Sequence, residues 1–228
     1  MENNHSCSAA TDNLCCFEEL TENEIQLLEQ NKLEVTYKKG ENICKQGAFA
    51  SHIIYLCQGL AKVYIENGTN SLTLKVVPRG GFIGLTSLFS ENNIFQNSAM
   101  AYQDSVVRMF DMNLFRKLIN ENAAFASQII NILCENSVQI YNRFFSLQHK
   151  QSFGRMADIL LCLSDRIFKT SEFDLNISRQ ELADLTGLSK EQTIRTLKSF
   201  KDDNFIEIEG KTLKITDKNS LLDISNYG

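Results

Sequence analysis

The sequence lacks several features that would each indicate a class of protein. Its 228 residues include no tryptophan and one proline, and no apolar run approaches the length of about 18 residues that a membrane-spanning helix requires. The amino terminus has neither a basic start nor an apolar stretch, so we expect no secretory signal and a cytoplasmic location. The net charge of −5 excludes a polybasic nucleic-acid binder but permits one local basic surface.

Motifs for catalysis and for metal binding are also missing. There is no Walker loop, no nucleophile–base motif and no pair of catalytic carboxylates, so we expect that the protein is not an enzyme. The histidines His5, His52 and His149 lie far apart, and the sequence has no cysteine–histidine cluster, so no metal site is predicted. A haem stays open, because a single axial histidine leaves little trace in a sequence.

Seven cysteines are present, an odd number in a chain long enough to fold without disulfides. Cys7, Cys15 and Cys16 precede the first predicted helix, and they are interpreted as inert thiols, with redox sensing as the alternative. Most of the cysteines are expected to be free. Four lie in apolar runs and are predicted to be in the core, namely Cys44, Cys57, Cys134 and Cys162.

The period of the apolar residues changes along the chain. Residues 1–20 are polar and show no period, and a capping box that begins at Thr21 predicts a short helix. Between Leu33 and Phe110 the period is two, which predicts several short strands. Frequent glycines and an Asn-Gly hairpin turn in this stretch indicate an antiparallel roll, to which residues 21–122 are assigned.

A long helix is predicted over residues 123–150. Its apolar residues recur at alternating steps of three and four, which is the a/d pattern of a two-stranded coiled coil. Its apolar face is wider than a single surface helix usually hides, so the helix is predicted to join two copies of the chain. Packing on its own domain is the alternative. The predicted dimer interface comprises Ile130, Leu133, Ser137, Ile140, Phe144 and Leu147.

The most specific pattern lies within residues 151–228. Ser178 and Ser189 each begin a helix, and Gly187 between them permits the left-handed turn of a helix-turn-helix. A hairpin whose turn includes Lys211 follows, which predicts the wing of a winged helix. An interruption at Ser152-Phe153-Gly154 is interpreted as a hinge before this segment.

Positive charge is concentrated on the second of these two helices. Glu191 and Arg195 lie one turn apart on one face, and their acceptors and donors suit cytosine and guanine in the major groove. Ile194, Leu197 and Phe200 are predicted to face inward. Use of this module as a protein interface is the alternative. The predicted DNA contacts are Ser178, Arg179, Ser189, Lys190, Glu191, Gln192, Arg195 and Lys211.

The chain from about Leu20 to Asp217 resembles the Crp/Fnr family of transcription regulators. The resemblance rests on ISRQELADLTGLSKEQTIRTLKSFKDDNFI from Ile177, on KKGENICKQGAFASHIIYLCQGLAKVYI from Lys38 and on PRGGFIGLTSLF from Pro78. It implies an α+β fold with an N-terminal cyclic-nucleotide-binding-like β-roll (jelly roll), a long dimerisation helix and a C-terminal winged helix-turn-helix. It also implies a homodimer, double-stranded DNA as partner and RNA polymerase as a further partner.

The effector is expected to differ from that of nucleotide-binding family members. Those members carry glutamate where this chain has Leu85 and arginine where it has Asn97. Without that arginine a buried phosphate would be an uncompensated charge, so we expect that no cyclic nucleotide binds. The predicted effector pocket comprises Gly84, Leu85, Thr86, Asn97, Ser98, Ile140 and Tyr141.

An iron–sulfur cluster is not expected either. Members that hold one supply C-x2-C-x5-C and a distant cysteine on a late strand. This chain has C-x7-C-C, and the late-strand position holds Arg108. Two adjacent cysteines rarely ligate one cluster together, whereas a cubane needs four thiolates.

Overall fold

The computed structural model describes residues 14–68 and 70–228, without the side chains of residues 14–16. The described residues divide into two compact units, residues 14–138 and residues 139–228. Of the cysteine group near the amino terminus, Cys7 and the side chains of Cys15 and Cys16 lie outside the described part. No described helix is long and apolar enough to cross a membrane.

The first unit consists of helices around two four-stranded sheets. Its helices are α1 (Glu22–Gln30), α2 (Met112–Glu121) and the beginning of α3 (Ala123–His149). Its strands are β1 (Lys32–Tyr37), β2 (Asn42–Cys44), β3 (His52–Gln58), β4 (Leu60–Asn67), β5 (Asn70–Pro78), β6 (Phe82–Ile83), β7 (Ser98–Ala101) and β8 (Ser105–Asp111). The predicted capping box at Thr21 is present at the start of α1.

The strands confirm the predicted antiparallel roll. One sheet has the order β1-β8-β3-β6 and the other β2-β7-β4-β5, and neighbouring strands are antiparallel in both sheets. The predicted hairpin joins β4 to β5, where Asn67 pairs with Asn70 and Gly68 has a φ of 62°. The apolar core of the roll includes a chain of aromatic contacts from Phe82 through Phe115 to Phe125.

The second unit contains the last turns of α3 and a small α+β module. Its further elements are α4 (Ser152–Cys162), β9 (Glu172–Asp174), α5 (Arg179–Thr186), α6 (Lys190–Asp202), β10 (Ile206–Glu209), β11 (Thr212–Ile215) and α7 (Lys218–Tyr227). The strands form an antiparallel sheet in the order β10-β11-β9.

The predicted interruption lies earlier than expected. Helix α3 ends at His149 and α4 begins at Ser152, so Ser152-Phe153-Gly154 forms the first turn of α4. A Cβ atom at Gly154 would lie 2.5 Å from the carbonyl oxygen of Gly228. The glycine therefore permits close packing of α7 on α4, which is why it stands within a helix.

Two polar groups tie the elements of the second unit together. Arg143, buried at the end of α3, donates to the carbonyl oxygens of Asp184 and Leu185, which lie in the last turn of α5. Such carbonyls have no partner within their own helix. The buried Asp158 carboxylate on α4 accepts hydrogen bonds from Ser146 at 2.7 Å and from Lys150 at 2.8 Å. The end of α3 thus holds both α4 and α5.

The cysteines only partly follow the prediction. Cys44 is buried, which raises the pKa of its thiol to about 12, and Cys57 is half-buried. Cys162 is buried as predicted and is disulfide-bonded. The prediction for Cys134 is wrong, since this residue is exposed. It lies one turn after the exposed Ile130, on the outward face of α3.

Candidate nucleic-acid interface and effector site

The helix-turn-helix is built from two capped helices and one glycine. Ser178 Oγ accepts a hydrogen bond from the Glu181 N–H at 3.1 Å, and Ser189 Oγ accepts one from the Gln192 N–H at 3.2 Å. Between the helices Gly187 adopts a φ of 65°, and a Cβ atom there would lie 2.6 Å from Leu147 Cδ2. A side chain at this position would therefore strain the turn and collide with α3.

Helix α6 has one buried and one exposed face. The buried face comprises Thr193, Thr196, Leu197 and Phe200, which follow the 3–4 spacing of a helix packed on a core. The prediction that Ile194 faces inward is wrong, because its side chain is 48% exposed. Thr193 and Thr196 occupy the inward positions instead.

The exposed face of α6 carries four charged side chains around Ile194. They are Lys190, Glu191, Arg195 and Lys198. In the part of the chain that the structure describes, none of the four forms an ion pair within 4.0 Å. Their donors and acceptors are therefore available to a partner. Sequence reasoning missed Ile194 on this surface, because an apolar residue in a helix is ordinarily assigned to the core.

The remaining predicted DNA contacts lie at the ends of elements. Ser178, Ser189 and Gln192 are exposed but serve the caps of α5 and α6. Arg179 is half-buried, and desolvation lowers the pKa of its guanidinium from the ordinary value. Lys211 is exposed beside Gly210, whose φ is 59°, in the two-residue turn between β10 and β11. That turn is the predicted wing.

The predicted effector residues of the first unit lie around one short turn. Gly84 adopts a φ of 92° and precedes the 3₁₀ turn Leu85–Ser87, in which Leu85 is buried and Thr86 is exposed. Asn97 Nδ2 donates to Thr86 Oγ1 at 3.2 Å. The buried Ser98 hydroxyl donates to Glu66 at 3.0 Å and accepts from the Gln46 N–H at 2.9 Å. Much of the polar capacity of this turn is thus used within the protein.

Helix α3 carries the predicted dimer residues and the last two predicted effector residues. Ile130 and Phe144 are exposed, whereas Leu133, Ser137, Ile140 and Leu147 are half-buried. Tyr141 is 68% exposed. Val138 and Phe145 are also exposed, although neither is among the six residues of the predicted interface. Together the outward residues form an apolar surface along the helix.

A roll, a long helix and a winged helix-turn-helix in one chain define a class of DNA-binding regulators. The model of the Crp-like helix-turn-helix domain matches residues 154–224, and that of the cyclic nucleotide-binding domain matches residues 34–122. This chain is a DNA-binding transcription regulator of the Crp/Fnr family.

Individual relatives show how far the similarity extends. The chain is 26% identical over 224 residues to electron transport regulator A of Shewanella oneidensis, across 95% of this chain and 88% of that protein. It is 26% identical over 183 residues to the cAMP-activated global transcriptional regulator CRP of Salmonella typhimurium, across 78% of this chain and 87% of that protein. The structure of FixK2 from Bradyrhizobium japonicum has the same fold, with a TM-score of 0.78 at 18% identity, across 85% and 96% of the two chains.

Proposed function

We propose that the protein binds a pseudo-palindromic operator as a homodimer, with one α6 in the major groove of each half-site. In that arrangement the half-sites lie about one helical turn apart, roughly 34 Å. The observation that carries the proposal is the exposed face of α6, on which Glu191 and Arg195 have no ion-pair partner among the described residues.

Three side chains on that face suit different bases. The Arg195 guanidinium can donate two hydrogen bonds to O6 and N7 of guanine, and the Glu191 carboxylate can accept one from N4 of cytosine. Ile194 presents an apolar surface between them, which suits the C5 methyl group of thymine. Each half-site should therefore combine G·C pairs with at least one thymine.

The other predicted contacts position the protein on the phosphates. The helices α5 and α6 begin beside Ser178 and Ser189, and helix N-termini attract anions because their backbone N–H dipoles point outward. Lys190 and Gln192 lie in the first turn of α6, Arg179 lies in the first turn of α5, and Lys211 extends from the wing. Such contacts strengthen binding to every sequence and carry little specificity.

The dimer contact is assigned to α3. Ile130, Tyr141, Phe144 and Phe145 are between 47% and 68% exposed in the single chain. A monomeric soluble protein rarely leaves a contiguous apolar surface of this kind in water. Pairing of two α3 helices would cover it, together with Leu133, Ser137, Ile140 and Leu147.

The effector is proposed not to be a cyclic nucleotide. Leu85 offers no acceptor for a ribose hydroxyl, and Asn97 offers no cation for a phosphate. An iron–sulfur cluster is also not proposed. At the late-strand position Arg108 pairs with Glu34 at 3.4 Å and with Glu29 at 3.5 Å, and it supplies no thiolate.

The proposal has three further parts. The protein acts in the cytoplasm, where its DNA lies. It contacts RNA polymerase from the bound operator, and it catalyses no reaction.

The alternative is a sensing module that acts through protein contacts. The charged face around Arg195 favours DNA, because the cores of protein interfaces are poor in charged residues.

Sequencing of genomic fragments retained by the purified protein tests the proposal. The protein is prepared with and without air, and Arg195→Ala is the matched control. We expect a two-fold symmetric motif for the native protein and its loss in the control. Retention of fragments with no shared motif would contradict sequence-specific binding, and a motif found only without air would show redox control.

A further inference from the structure

The roll buries a lysine that none of the proposed contacts uses. Lys75 lies in β5 and is 8% exposed. Its Nζ donates a hydrogen bond to Asn136 Oδ1, on α3, at 2.9 Å. Among the residues that the structure describes, no carboxylate pairs with this ammonium group. Burial lowers its pKa to about 8, so the group is still mainly charged at neutral pH.

A buried charge with one neutral partner is costly to keep. The ammonium has three donors, and the Asn136 oxygen satisfies one of them. Buried lysines are almost always paired with an acid, because removal of the charge from water otherwise destabilises the fold. An anion that entered the roll would supply the missing counter-charge.

The strand register places Lys75 on the face of the sheet that forms the core. Val63 of β4 pairs with Lys75 on one side and with Ala99 of β7 on the other. Directly opposed residues of antiparallel strands share a face, and Val63 and Ala99 both belong to the core of the roll. Ala99 follows Asn97 by two residues. The row of side chains formed by Lys75, Val63 and Ala99 therefore leads from Lys75 towards Asn97, where nucleotide-binding members of the family carry an arginine.

We propose that the effector of this regulator is a small carboxylate or phosphate anion, without a nucleoside, that pairs with Lys75 inside the roll. The inference rests on the proposed function of the roll as an effector domain. Lys75 would supply the positive charge that Asn97 does not. The anion would compete with Asn136 for the ammonium group, so its binding would be felt directly on α3.

Thermal unfolding of the full chain at constant ionic strength tests the proposal. The probes are succinate, inorganic phosphate and, as the uncharged match of succinate, succinamide. We expect at least one of the two anions to raise the midpoint by about 5–10 °C at a hundredfold excess over its dissociation constant. Succinamide should have no effect. A response to succinate identifies a carboxylate, and a response to phosphate identifies a phosphate.

Two variants and one control separate a ligand site from a structural contact. Lys75→Met should lose the anion response, whereas Lys117→Met, at an exposed lysine of the same unit, should keep it. Asn136→Asp places an internal carboxylate beside Lys75 and should also lose the response, which keeps the test decisive if Lys75→Met fails to fold. An undiminished response in both variants, or no response of the native protein to either anion, would overturn the proposal.

Operator binding is measured on the same preparations. A native protein that responds to an anion but binds no specific DNA would contradict the proposed operator recognition and leave the anion site standing. Specific DNA binding without any response to an anion would contradict the anion site and leave the proposed operator recognition standing.

Discussion

In the second unit, Glu191 and Arg195 stand one turn apart on the exposed face of a capped helix. In the first unit, Leu85 and Asn97 replace the polar residues of nucleotide-binding family members, and a lysine on β5 is buried instead. Both units nevertheless keep the fold of the family. The fold depends on apolar periodicity, caps and turns, whereas the ligand depends on a few polar side chains, so the two can change separately.

The contrast has a consequence for how the protein is regulated. If the exposed face of α6 keeps the DNA-contacting residues of the family, the operator should have the family's two-fold symmetry. If the effector site has changed, the effector should differ from a cyclic nucleotide. Within the second unit, Arg143 at the end of α3 holds the last turn of α5.

The largest effect is expected on the association of two chains through α3. Phe144→Glu would place two carboxylates against each other between the α3 helices. Burying such uncompensated charges should weaken association by about 3–5 kcal/mol, which is more than a hundredfold. Sedimentation velocity at micromolar concentration should show a monomer. Asn120→Glu adds the same charge to the exposed face of α2 and should leave the dimer intact. A dimeric Phe144→Glu would show that α3 is not the interface.

A smaller effect is expected from the charge state of Lys75. The pKa of this residue falls from 10.5 in the unfolded chain to about 8 in the folded one, so between these values the unfolded state binds more protons. Stability should therefore rise with pH over this window, by about 3 kcal/mol in total. Denaturant unfolding of the native protein and of Lys75→Met, at pH 7.5 and at pH 10, measures it.

The comparison with the variant removes the contribution of the tyrosines and cysteines that titrate in the same range. The difference in unfolding free energy between the two proteins should move in favour of the native protein as the pH rises. A difference that is constant with pH would mean that Lys75 is solvated or already paired.

The smallest effect is expected at Ile194. Ile194→Ala should cost about 1 kcal/mol per half-site, the value of an apolar contact with a thymine methyl group. Replacement of that thymine by deoxyuridine should lower the operator affinity of the native protein by a similar amount and leave the operator affinity of Ile194→Ala unchanged. A double-mutant cycle measures this coupling. Equal losses in both proteins would place Ile194 away from the methyl group.

Sequence reasoning succeeded where the signal is local. The capping boxes at Thr21 and Ser178, the helix cap at Ser189 and the left-handed Gly187 are all present, because each depends on residues within three or four positions. Two functional candidates, Lys75 and Ile194, were missed, because the pattern of residues along one strand or helix does not show which face packs against the core. Lys75 was not singled out, because it stands between the apolar residues Leu74 and Val76, whereas the pairing of three strands places it on the core face of the sheet. Ile194 faces solvent because the two buried threonines of α6 pack instead.

The most direct test of DNA reading by α6 compares Arg195→Ala with Lys211→Ala on the selected operator and on random DNA. Arg195→Ala removes one bidentate contact per protomer, so operator affinity should fall by roughly 2–6 kcal/mol, about 30-fold or more, while affinity for random DNA changes little. Lys211→Ala should weaken both DNAs alike and lower the salt dependence by about one counterion per protomer. An equal loss on both DNAs for Arg195→Ala would make Arg195 a phosphate contact and contradict the placement of α6 in the groove.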